Sequence, residues 1–121
     1  MGRCTSSAVT VPLQMNVCVL STDLMFFSAV EGVAGAMGHV ARQVEEIGEI
    51  GRPDLLIADL AHENFDLDAI AAAFDPARTA VFAPHVRVEA FTGARASGIA
   101  HVYRRGALAN ELPRLLNEYA V

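Results

Sequence analysis

Cysteine, charge and long apolar runs are all scarce in this sequence, and each shortage removes a class of function. Only Cys4 and Cys18 occur among 121 residues, without metal-ligand spacing. A disulfide scaffold and a cysteine zinc module are therefore not expected, and the usage points to a reducing, cytoplasmic setting. Charged residues make up only 19% of the chain and the net charge is −5, which disfavours a nucleic-acid phosphate backbone as a direct partner. The one local basic pair, Arg104–Arg105, is too small for a binding stripe. No apolar run reaches the roughly 18 residues of a membrane span. The opening "MGRCTSSAVTVPLQ" lacks the apolar core of a signal peptide. Residues 1–14 are read as a flexible tail and 15–121 as the domain, with Met15 an alternative start. No GxGxxG follows a strand pattern, and His39, His62, His85 and His101 show no ligand spacing, so neither a dinucleotide nor a zinc site is expected.

What is present is an apolar fraction of 53%, enough for one domain with a single substantial core. Short β-type runs alternate with helical patterns. "MNVCVL" (15–20) carries no charge and suits a central strand buried on both faces. Asp23 precedes a helix in which Phe26, Val30, Val33 and Met37 recur at helical spacing, closed by Gly38. "HVARQV" (39–44) alternates as a strand nearer the edge, and "EEIGEIGRP" leaves room for a turn or two of helix. "DLLIADL" (54–60) is a second buried strand, followed by a short helix marked by Leu67, Ile70 and Phe74. "TAVFA" (79–83) is a third buried strand, then a helix over 86–98 closed by Gly98, and "AHVY" (100–103) is the last strand. Leu108, Leu112, Leu115 and Tyr119 stripe a final helix, with Asn110 as its expected cap and Pro113 in its first turn.

Five strand–helix alternations with right-handed crossovers give a flavodoxin-like three-layer α/β/α sandwich. The expected parallel sheet has order 2-1-3-4-5 and a short second helix. A crevice then lies at the carboxyl ends of strands one and three, where Asp59 and the Ser21–Thr22–Asp23 segment fall.

With "PDLLIADL" ending strand three, the glycine in "ARASGIAHVYRRG", and "ELPRLLNEY" as the last helix, residues 15–120 resemble the receiver domain of bacterial two-component response regulators. The resemblance implies a phosphoacceptor at Asp59. It places the family's Mg²⁺-binding acidic pair on Ser21 and Thr22, with Asp23 the one acidic neighbour. The strand-four hydroxyl falls on Ala83, the Lys–Pro pair on Arg105 and Gly106, and the switch aromatic on Val102. Tyr103 is one residue on and points to the other face of the sheet.

These departures bear on chemistry. Phosphoryl transfer to a carboxylate needs Mg²⁺ held by hard oxygen ligands, and donors for the charge on the transferred oxygens. Asp23 and Asp59 remain for Mg²⁺, and Arg105 for phosphate, as a planar fork in place of a point charge. Ala83 offers no hydroxyl and Val102 no ring to swing. The expectation is a pseudo-receiver: no enzyme, no resident cofactor, Asp59 held by backbone N–H groups or Arg105, and Asp23 an N-cap. Ser21 and Thr22 can cap or donate to Asp59. Such a module would act by protein contact or homodimerisation. The family's fourth helix, fifth strand and fifth helix supply the expected face, including Arg87, Phe91, Arg95, Tyr103 and Arg104. Two alternatives stay open: a divergent receiver phosphorylated on Asp59, and a small-molecule-binding flavodoxin-like protein. The second is weakened by the glycine-free "LSTDLMFF" loop.

Overall fold

The computed structural model of the chain describes residues 14–60, 67–83, 96 and 98–119. Among them, five strands form one parallel sheet in the order β2-β1-β3-β4-β5. They are β1 (Asn16–Leu20), β2 (Val40–Val44), β3 (Leu55–Asp59), β4 (Thr79–Ala83) and β5 (His101–Arg104). The helices are α1 (Leu24–Ala36), α2 (Leu67–Ala73) and α3 (Leu108–Tyr119). The expected sheet order and layering hold, with strand bounds shifted by a residue at most. The helix expected over 86–98 lies outside the described residues apart from its end.

Side chains of successive strand residues point to opposite faces, and the core divides accordingly. Val17, Val19, Leu55, Ile57 and Phe82 pack under α1 and α3, where Phe26, Val30, Leu112 and Leu116 meet them. Cys18, Leu20, Leu56, Ala58 and Val81 face the other way, against Ile70 of α2 and Ile99. β3 and β4 are buried along their whole length. That explains why they read as unbroken apolar runs, since both faces are covered.

Local chemistry sets the boundaries. Asp23 Oδ1 accepts from the Met25 and Phe26 N–H groups at 2.9 and 3.4 Å, the N-cap that the sequence pointed to. At the other end Gly38 takes φ +84°, a left-handed conformation natural to glycine. The chain then turns so that the His39 N–H reaches the Ala34 carbonyl at 2.8 Å. Between β2 and β3 a single 3₁₀ turn, Ile47–Glu49, fills the space expected to hold a turn or two of helix. Arg42 holds this turn by donating to the Glu49 carbonyl at 3.1 Å and to that of Ile50.

The final helix differs from expectation. A 3₁₀ turn over Arg105–Ala107 leads directly into α3, so Leu108 is already helical and Pro113 is an interior residue. Asn110 is therefore not its cap. The reason is burial: Leu108, Leu112, Leu115 and Leu116 all face the core, and only an early start keeps Leu108 on that stripe. The carbonyl that Pro113 leaves without a donor belongs to Ala109, which is exposed to water. Interior proline still costs a helix about 3 kcal/mol relative to alanine, partly offset by a stiffer unfolded chain. Pro113→Ala is thus expected to raise stability by about 2 kcal/mol, seen as a higher urea midpoint at unchanged slope.

Candidate functional site

The carboxyl ends of β1 and β3 bring Ser21 and Asp59 together. Both are buried, at 0% and 1% exposure. The Ser21 Oγ–H donates to Asp59 Oδ2 at 2.9 Å, and Ser21 Oγ accepts the Asp23 N–H at 3.0 Å. The serine's own backbone is equally committed. Its N–H donates to the Val44 carbonyl at 3.0 Å, and its carbonyl accepts Gln43 Nε2 at 2.8 Å. A buried polar residue is tolerable only when satisfied in this way. Ser21 is thus a junction between β2, β1 and β3.

Gln43 and Val44 were not singled out from sequence. Their place follows from the parallel register, which sets Leu20 beside Val44, so the residue after β1 meets the end of β2. Alternation in "HVARQV" marks Gln43 only as a polar strand residue.

Thr22 is exposed and Asp23 half-buried, its Oδ1 spent on the helix cap. Ala83 ends β4 fully buried, with no polar side-chain atom to offer. The backbone there is closed as well, since the Leu60 N–H donates to the Phe82 carbonyl at 2.8 Å. The Arg105 side chain lies outside the described residues, as do His62, His85, Arg87, Phe91 and Arg95. All nine Lys/Arg positions of the chain are arginines, so any permanently charged basic side chain facing this pocket carries a planar guanidinium.

A magnesium ion, as the fold family would imply, asks for several hard oxygen ligands. Among the described residues no group of three His, Cys, Asp or Glu side chains is placed to hold a metal. Ser21 meets Asp59 with a hydroxyl, and the Asp23 carboxylate serves the cap. Among the described residues these donors do not make a Mg²⁺ site. The arrangement ties strands together and leaves Asp59 bonded and dry. At the mouth stand Leu24 and Met25, 67% and 82% exposed, an apolar rim in the first turn of α1.

Val102 and Tyr103 take opposite faces, as expected. Val102 packs on the α2 side. Tyr103 packs on the α1–α3 side, its ring 5.4 Å from that of Phe82. Arg104 is exposed. No described helix is long and apolar enough to cross a membrane.

No protein-family model and no curated protein matches the sequence. Solved structures do. NtrX from Brucella abortus, in complex with ADP, superposes with a TM-score of 0.67 at 16% identity over 88% of this chain. The chain spans 27% of that NtrX chain. A pilus assembly-related protein from Burkholderia pseudomallei gives 0.65 at 16% identity, covering 88% of this chain and 90% of the other. The beryllofluoride-activated NtrC4 receiver domain dimer gives 0.60 at 13% identity, with coverage of 86% and 98%. The chain has the fold of response-regulator receiver domains.

Proposed function

We propose that the chain is a signalling module of the receiver fold that works by protein contact and is not switched by phosphorylation. The observation that carries this reading is the buried hydrogen bond from Ser21 to Asp59. It puts a neutral donor where phosphotransfer would use a metal-binding carboxylate. Ala83 adds to it, because a transferred phosphoryl group would meet no hydroxyl at the end of β4. The module is not an enzyme, and its setting is the bacterial cytoplasm. Its contact face is assigned to β5 and α3, with Tyr103 and Arg104; Arg87, Phe91 and Arg95, which the family resemblance adds to that face, lie outside the described residues. A second copy is the first partner to consider, since NtrC4's receiver was solved as a dimer. The chain's net charge of −5 supports a protein rather than a nucleic-acid partner.

The test is intact mass after acetyl phosphate treatment, with and without Mg²⁺. No phosphoryl adduct is expected in either condition. A Mg²⁺-dependent adduct that disappears in Asp59→Asn would replace this reading with that of a divergent phosphoacceptor. A purified protein that is yellow or red would instead favour a flavin or cobalamin binder.

A further inference from the structure

The outer face of α1 has no part in the reading above. Phe26, Val30 and Ala34 turn into the core. Helical spacing then puts Met25, Ser28, Gly32 and Ala36 on the opposite side, and all four are exposed. Met25 stands at 82% exposure and Leu24 beside it at 67%. The only charged residue of the helix is Glu31, which lies on the flank, about 80° round from the middle of this face. A surface helix normally turns charged and polar residues to water, and one that is apolar all round is normally covered on both sides.

The glycines of this face sharpen the point. Gly32 and Gly35 do not take the left-handed conformation that calls for glycine. A Cβ at either position would meet no packing neighbour within 4 Å. Alanine would therefore fit both sites and would hold the helix better. What two glycines on an open helix face provide is room for another backbone to come close.

We propose that a second copy of the chain docks on this face, α1 against α1, antiparallel about a two-fold axis. The face is graded in bulk, with Leu24 and Met25 at its amino end and Gly35 and Ala36 at its carboxyl end. A two-fold axis set between Ser28 and Gly32 lays Met25 of each copy over Ala36 of the other. Large then meets small at both ends, the reciprocity of an isologous contact. Charge selects the same occupant. Each copy carries −5, so two copies repel where their charges meet, and the middle of this face offers about 20 Å of helix without one. With eight exposed residues on α1, against about 20–30 a side in a stable interface, the dimer is a transient one. α1 packs on β2, at the far edge of the sheet from β5, so β5 stays open to a different partner.

Sedimentation equilibrium of the full chain from about 10 μM to about 1 mM should show a reversible monomer–dimer equilibrium. Added salt should tighten it by screening two acidic copies. Gly32→Leu places a side chain where the second backbone must lie. At low concentration this variant should unfold at a higher urea midpoint than the parent, because leucine is the better helix former. Its dimer dissociation constant should nevertheless rise about tenfold or more. Met25→Glu, a charge that suits the amino end of a helix, should weaken the dimer likewise. Arg104→Glu, on β5, should leave it unchanged. A monomer throughout the range, a dimer indifferent to Gly32→Leu, or a dimer lost in Arg104→Glu would overturn the proposal. Acetyl phosphate treatment decides the phosphorylation reading separately from all three.

Discussion

Ser21→Asp is expected to cost about 3–5 kcal/mol of stability at neutral pH in the absence of divalent metal, the penalty of a buried charge without its partner. The replaced hydroxyl is the donor to Asp59 Oδ2, so the substitution turns a hydrogen bond into two carboxylates in contact. Neither site has water to dilute the repulsion, with Ser21 at 0% and Asp59 at 1% exposure. One of the pair must then take up a proton, and the deficit should shrink as pH falls toward the carboxylate range. The same two carboxylates would offer Mg²⁺ the hard oxygens that the parent pocket lacks. Saturating Mg²⁺ should therefore return part of the loss, about 2.7 kcal/mol at a hundredfold excess over the dissociation constant. Urea unfolding of the variant in EDTA and in Mg²⁺ measures both. A variant as stable as the parent in EDTA would mean that Ser21 does not hold Asp59 in a dry contact.

Phe82→Ala should be comparably severe for a different reason. Phe82 is fully buried, and its ring lies 6.0 Å from Phe26 and 5.4 Å from Tyr103. Truncation loses the transfer energy of the ring and leaves a cavity that the sheet cannot collapse, about 3–5 kcal/mol. A domain of this size has only about 5–15 kcal/mol in total. The substitution should therefore lower the urea midpoint by about a fifth or more. Because Phe82 faces α1 and α3, the closure at its carbonyl and the Ser21–Asp59 bond on β3 should survive. A loss below about 1 kcal/mol would show that this face is not packed as described.

The fold was legible because its two strongest signals are local. Charge-free runs such as "TAVFA" can only be strands covered on both faces, and Asp23 and Gly38 bracket α1 with a cap and a stop. Asp59 could be placed at the crevice because sheet order follows from crossover handedness. Ser21, Thr22, Arg105 and backbone N–H groups all stood as candidates to hold it, and the structure shows Ser21 doing so; the sequence could not choose among them. The bond from Ser21 joins positions 38 apart, and the support from Gln43 depends on register across a parallel pair, which leaves no period in the sequence. Pro113 misled in the opposite way. Its propensity argued for a helix start near Asn110, and the buried Leu108 outweighed it. The His101–Tyr119–Ala77 contact likewise joins a strand, a helix end and a turn that no motif connects.

β1 is fastened at both of its ends. At the entrance the Met15 N–H donates to His39 Nδ1 at 3.0 Å, and the Asn16 N–H to Asp54 Oδ2 at 2.8 Å. At the exit Ser21 binds Gln43 and Asp59. Sliding this strand by one residue would break all four ties and turn its buried side chains inside out. It is a keyed shaft rather than a slider, fixed to both neighbours. The half-buried β5 is tied at its entrance by the Ala100 N–H to the Pro76 carbonyl at 3.0 Å and by the His101 ring to Tyr119. β1 thus has a strand and side-chain ties on both sides, whereas β5 ends the described sheet with a paired strand on one side alone.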